Sequence, residues 1–221
     1  MIKTYRVELT STMPLLMHAD DLAWRSQMEK WGSRPENKKV SVPGDDRTPA
    51  WRWIGACYHD GVHIGIPSDC LMSCIRGGAS MVPVPGKRSL TYKRQSQSGI
   101  LVNEILWPVV VPKGMVLWSK IAALIEEPDF SVHQSTCTEL GFELFVKSVR
   151  VGNAKHIRVR PRFDNWKASG TIAVMDEGIT TQVLQDILDN AGRYCGLGEW
   201  RPSSPKAPGP WGTFTAKIEA V

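Results

Sequence analysis

Residues 155–175 read KHIRVRPRFDNWKASGTIAVM, and two alternating runs within them decide the fold class. Lys155 to Phe163 and Lys167 to Met175 each repeat with period two, the mark of a strand with two unlike faces. Asp164-Asn165 supplies a turn between them, so the two runs are expected to form a hairpin. Just downstream, Thr180 or Thr181 caps a helix whose apolar stripe is Val183, Leu184, Ile187, Leu188 and Ala191, with Gly192 near its end. The tail from Gly212 to Val221 sets Phe214, Ala216 and Ile218 against Thr215, Lys217 and Glu219, a closing strand.

Toward the N-terminus, Phe142, Leu144 and Val146 alternate in the same way. Ile100 to Val111 and Gly114 to Ile125 are apolar and β-branched and read as strands, although Ala122 to Glu127 suits a helix equally well. Ile66-Pro67-Ser68 opens a helix with Ser68 as its cap, Leu71, Met72, Cys74 and Ile75 as its stripe, and Gly77-Gly78 as its stop. A hairpin is expected around His59-Asp60-Gly61, and Asp20 to Thr48 carries no sustained period and reads as an extended insertion. Residues 3–11 alternate cleanly, with Tyr5, Val7 and Leu9 on one face. Setting aside insertions at about 14–65 and 79–141 leaves a core of about 1–13, 66–78 and 142–221, in the order strand, helix, strand, strand, helix, strand. That order predicts one domain over 1–221, an α+β protein with a ferredoxin-like βαββαβ core like that of the RNA-recognition motif.

The 221 residues, 42% of them hydrophobic, suffice for one sizeable core. No apolar run reaches the length of a membrane span and the N-terminus mixes charges into its pattern, so a cytoplasmic protein without a membrane partner is expected. Five cysteines, an odd number at uneven spacing, read as free thiols. Cys57, His59, His63, Cys70 and Cys74 mix metal-binding donors in one stretch, but the spacing is not that of a zinc ribbon, and neither metal nor cofactor is expected. A formal charge of +5 permits an anionic partner without demanding one. Nine tryptophans, Trp24, Trp31, Trp51, Trp53, Trp200 and Trp211 among them in polar or Pro/Gly-rich surroundings, suit stacking platforms or anchors for long loops.

Within the opening stretch, side-chain alternation brings His156, Arg158, Arg160 and Arg162 to one face, flanked by Arg150, Lys155 and Lys167, with Asp164 the sole acid from Arg150 through Lys167. So one-sided a run repels itself unless an anion covers it, which predicts phosphate binding, with Trp166 placed to stack on a base. Lys87, Arg88, Lys93 and Arg94 add a second basic group amid Ser, Gln and Gly. Gly196-Leu197-Gly198 followed by Arg201 allows close approach of a backbone to phosphate or sugar, and it is neither a dinucleotide fingerprint nor a Walker motif.

Three separated segments resemble the RAMP superfamily of CRISPR effector backbone and RNA-processing subunits. They are Met13-Pro14-Leu15-Leu16-Met17-His18 after the first strand, Ile66-Pro67-Ser68-Asp69-Cys70-Leu71 with Arg76, and Gly196-Leu197-Gly198 leading to Gly209-Pro210-Trp211-Gly212-Thr213-Phe214. The same elements are similar to a group of uncharacterised phage proteins. Ser68 stands where the family usually has glycine, and four prolines interrupt the glycine-rich loop. The resemblance implies a non-catalytic subunit on single-stranded RNA, stacking head to tail as the backbone of a CRISPR-like ribonucleoprotein. Two alternatives stay open. A phage single-stranded DNA-binding or annealing protein would use the same face, and a RAMP-type endoribonuclease would use His18 as general base with Asp20 and Asp21 on a divalent cation. The plain alternative for Asp20 and Asp21 is a loop or a helix cap.

Overall fold

The computed structural model describes residues 2–87 and 89–221, with Val151 described by its backbone alone. In chain order the strands are β1 (Lys3–Ser11), β2 (Leu15–Leu16), β3 (Gly65–Pro67), β4 (Ile100–Val102), β5 (Leu106–Val111), β6 (Gly114–Met115), β7 (Glu143–Val151), β8 (Ala154–Phe163), β9 (Lys167–Val174) and β10 (Phe214–Ala220). The α-helices are α1 (Leu22–Ser33), α2 (Pro35–Lys38), α3 (Ser68–Ala79), α4 (Lys93–Gly99), α5 (Trp118–Ala122), α6 (Phe130–Leu140) and α7 (Thr181–Asn190). The protein is therefore mixed α+β, with two antiparallel sheets. Among the described residues no helix is long and apolar enough to cross a membrane.

The larger sheet runs β10-β1-β9-β5-β3, with β4 also on β9 and β6 closing a hairpin on β5. Its centre follows from the alternation of residues 3–11, because Tyr5, Val7 and Leu9 are buried while Lys3, Arg6 and Glu8 are exposed. Helices α3 and α7 pack together, and Tyr5 Oη lies 2.9 Å from Thr181 Oγ1 at the start of α7. Thr180 caps α7 by accepting from Val183 N (3.3 Å), and Leu184, Ile187 and Leu188 are buried as its stripe requires. Gly77-Gly78 does not end α3, which continues to Ala79. A Cβ on Gly78 would collide with Ile187 O, so the glycine serves a close helix crossing rather than a stop.

The smaller sheet runs β2-β8-β7. Here the expected hairpin is corrected. Residues 154–162 pair with β7, from Glu143 opposite Arg162 to Val151 opposite Ala154, whereas residues 167–174 pair with β1, β4 and β5 in the other sheet. Asp164 to Trp166 carries the chain from one sheet to the other, with Asn165 at φ 49°. Period two identifies a strand but not its partner, and burial of Phe163 and Trp166 decides the crossing. Ile100 to Val111, assigned by sequence to an insertion, supplies β4 and β5 of the larger sheet. Asp20 to Thr48 is also less irregular than expected, because Asp21 caps the twelve-residue α1. That helix buries none of its residues fully. It is held by Trp24, which meets Trp51 edge-on at 5.4 Å and donates to Arg52 O, and by Met28 and Trp31, which pack on the core at i+4 and i+7, a sparse helical period set among polar residues.

Candidate nucleic-acid interface

His156, Arg158, Arg160 and Arg162 do share one face of β8, alongside Phe145, Lys147 and Val149 of β7. The face is not uncompensated, however. Asp46 lies over it, 3.0 Å from Arg158 Nη1 and 3.2 Å from Arg160 Nη1, and Glu199 Oε2 is 2.6 Å from Arg160 Nε. Arg162 pairs with Glu143 (2.7 Å) and Asp164 (3.0 Å). Arg160 is only 8% exposed, and His156 Nδ1 is buried against Gly44. The expected self-repulsion is thus relieved by carboxylates from elsewhere in the chain, and these arginines are structural cations. Trp166 is corrected as well. It is fully buried, donates to Met13 O (3.1 Å) and packs edge-on against Phe214, so it offers no face to a base.

The three segments that carry the family resemblance meet in space. Leu197 N donates to Gly212 O (3.0 Å), Glu199 N to Leu16 O (2.9 Å), and Gly212 N to Pro14 O (2.7 Å), which knits the glycine-rich loop to the exit of β1. Gly198 and Gly212 adopt φ values of 76° and 69°, and a Cβ on either would strike a backbone carbonyl, Leu16 O or Leu197 O respectively. Between this loop and α3 lies a cleft of about 610 Å³ whose walls include His18, Tyr58, Cys70, Ser73 and Arg201. A second cleft of about 670 Å³ opens beneath α1, lined by Asp20, Trp24, Arg52 and Arg158. His18, Glu199 and Trp200 line both and form the wall between them.

That wall is chemically specific. His18 Nε2 sits 3.2 Å from Arg160 Nη2, and because a guanidinium only donates, the ring proton belongs on Nδ1, 3.4 Å from Glu199 Oε1. Burial alone would raise the Glu199 carboxyl, but the His18 contact and the Arg160 cation hold it below its usual range. Trp200, at φ 52°, carries Lys147 Nζ 4.3 Å above its ring and meets Phe145 edge-on at 6.0 Å, while Trp211 lies tilted against Phe145 at 5.3 Å. Arg201 donates to Gly198 O (2.8 Å) and Ser203 Oγ (3.1 Å) rather than to a carboxylate.

No protein-family model matches this chain, and no curated protein matches it.

Arg150 and Lys155 stand directly opposite each other near the exposed tip of the β7–β8 hairpin, two like charges in one cross-strand pair. Such a pair is unfavourable unless an anion lies on it. Lys93 and Arg94 begin α4 and are exposed, as is Lys87, but none of the three lines either cleft, and Arg88 lies outside the described residues. Asp20 forms an exposed ion pair with Arg25, and Asp21 accepts from Ala23 N and Trp24 N as the cap of α1, so they do not face a shared cation position. Among the described residues no three His, Cys, Asp or Glu gather as a metal-holding group. His59 instead stacks on Trp118 at 3.6 Å, His63 leans on Asp60, and the Cys74 thiol faces Ala191 O. Sequence reading missed Asp46, Glu199, Phe145 and Lys147. The signal for the first was the Asp45-Asp46 pair inside an otherwise featureless polar stretch.

Proposed function

We propose that this chain is a non-catalytic single-stranded nucleic-acid-binding subunit of RAMP type, with RNA its polymer. The observation that carries the reading is the meeting of the three family-like segments around one cleft, with Arg201 and Trp200 on its rim. A ferredoxin-like core is supported by the order β10-β1-β9-β5, with α3 following β1 and α7 following β9 in the chain. In that reading β4 and β5 fill the place of the second core strand, and the β7–β8 hairpin is an arm added to the core.

The polymer's phosphates then meet Arg201 and, at the arm's tip, Arg150 and Lys155, while a base stacks on the face of Trp200 opposite Lys147. Arg158, Arg160 and Arg162 shape the wall without contacting phosphate. Fluorescence anisotropy with single-stranded RNA, single-stranded DNA and duplex DNA at two salt concentrations tests this. Single strands should bind in a salt-sensitive way, and Trp200→Ala should weaken binding about tenfold, the loss of one stacked base. Arg150→Ala with Lys155→Ala should flatten the salt slope by about two phosphate contacts. Absence of single-strand binding sinks the proposal, and a preference for DNA selects the annealing-protein reading.

One observation favours a second reading. His18 is half exposed on the wall between both clefts, with Glu199 and Arg160 fixing its ring. Cut RNA on a denaturing gel, abolished by His18→Ala, would make the chain an endoribonuclease with His18 as its general base.

A further inference from the structure

Among the described residues β10 has β1 as its only strand neighbour, so one edge of the larger sheet ends on it. The direction of its backbone groups follows from the pairing. Val221 N donates to Thr4 O (3.0 Å) and Thr12 N to Thr213 O (2.9 Å), bracketing a register in which odd-numbered residues of β10 turn their amides and carbonyls toward β1. Phe214, Ala216, Ile218 and Ala220 turn theirs outward. At Phe214 the edge is covered, because Gly192 packs against its carbonyl. From Ala216 to Ala220 the sole cap among the described residues is Gln185 Nε2, which donates to Ala216 O at 2.9 Å and occupies a position that a neighbouring strand's amide would take.

The side chains on the exposed face are ordered by charge. Arg6 stands opposite Glu219 and Glu8 opposite Lys217, and within β10 Lys217 Nζ lies 2.9 Å from Glu219 Oε1. We propose that β10 is a self-complementary edge through which two copies of this chain pair antiparallel about a two-fold axis at Ile218. In that register Ile218 exchanges both hydrogen bonds with Ile218 of the second copy, and Ala216 does so with Ala220, whose amide displaces Gln185 Nε2 from Ala216 O. Lys217 faces Glu219 of the second copy, and the exposed face then reads Glu8, Lys217, Glu219, Arg6 across the junction, alternating in sign over four strands. A shift of the axis by one residue sets Lys217 against its own copy or Glu219 against its own copy, so charge selects the register. The contact is isologous and closes after two chains, unlike head-to-tail stacking. It requires neither cleft and does not rest on the nucleic-acid reading.

Sedimentation of nuclease-treated protein over a range of concentrations tests it. The wild type should reach twice the chain mass of 24.6 kDa. Lys217→Glu and Glu219→Lys should each shift the protein to monomer, and the double swap should restore the dimer, because exchanging the two charges preserves their complementarity across the axis. Ile218→Pro should also give a folded monomer, since it removes an amide that points away from β1. A wild type that stays monomeric at the highest concentration overturns the proposal, as does a dimer indifferent to both single charge reversals.

Discussion

Asp46 is 6% exposed and is the charge around which the β8 face is organised, with Arg158 and Arg160 on it and Arg52 Nε 3.7 Å away. Asp46 also accepts from Val159 N at 3.4 Å, so it compensates cations and a strand amide together. Removing one member of such a buried group leaves the others desolvated and unpaired. Asp46→Ala is therefore expected to cost about 3 kcal/mol in a urea titration, whereas Lys155→Ala, which relieves an exposed like-charge pair with Arg150, should raise the midpoint slightly. Equal effects from the two would mean that the arginine face is solvated after all. The acid that completes this face lies 114 residues before Arg160, a separation that no local reading of charge can span.

At the scale of elements, the glycine-rich loop shows why residue type at a fixed place outweighs composition. Gly196, Gly198 and Gly212 sit at positive φ, and the loop's backbone bonds to Pro14 and Leu16 leave no volume for a side chain. Gly198→Ala should destabilise the protein by about 2 kcal/mol or more through strain and the clash with Leu16 O, read as a lowered thermal midpoint. Gly152→Ala, at a hairpin tip with nothing within 4 Å, should cost only its backbone preference. A Gly198 variant as stable as the wild type would show that this loop is not the rigid floor of the cleft. The elements themselves were largely legible, since β1, α7 and β10 fall where alternation and helical spacing set them. Helix α1 was not, because its stripe is only Trp24, Met28 and Trp31 among polar residues, none fully buried, and its firmest anchor is Trp24 reaching to residues 51–55.

For the whole molecule, three buried or paired groups share one response to acid. His133 is fully buried, accepting from Trp53 Nε1 at Nδ1 (3.1 Å) and meeting Glu127 O at Nε2 (2.9 Å), an arrangement only the neutral ring satisfies. Burial pushes its pKa below the ordinary 6.5, so its contribution is complete above about that pH and is lost as pH falls through the depressed folded value. The Arg47 hydrogen bond holds Asp45 below its ordinary 3.8, and Glu199 is held below 4.5 despite its burial. Their contributions persist to lower pH and are lost as it falls through their folded values. Urea midpoints should therefore drop in two stages on acidification, and His133→Gln should shrink the upper one, to which the burial of His59 also contributes. A midpoint that stays flat from neutral pH down to the carboxylate range would contradict the buried neutral imidazole.

What the sequence determined by itself was the local period of each segment, and with it the α+β class, the first and last strands and helix α7, because burial of one face imposes that period wherever the face points. It also marked the three motif segments and the basic run on residues 156–162. Tertiary structure alone decided that β8 pairs with β7 and not with β9, that the basic face is compensated by Asp46 and Glu199, and that the motif segments surround one cleft. The physical reason is common to all three. Strand partners, buried counter-charges and cleft walls are contacts between residues far apart in sequence, chosen by packing of the whole chain, and no window of neighbouring residues contains them.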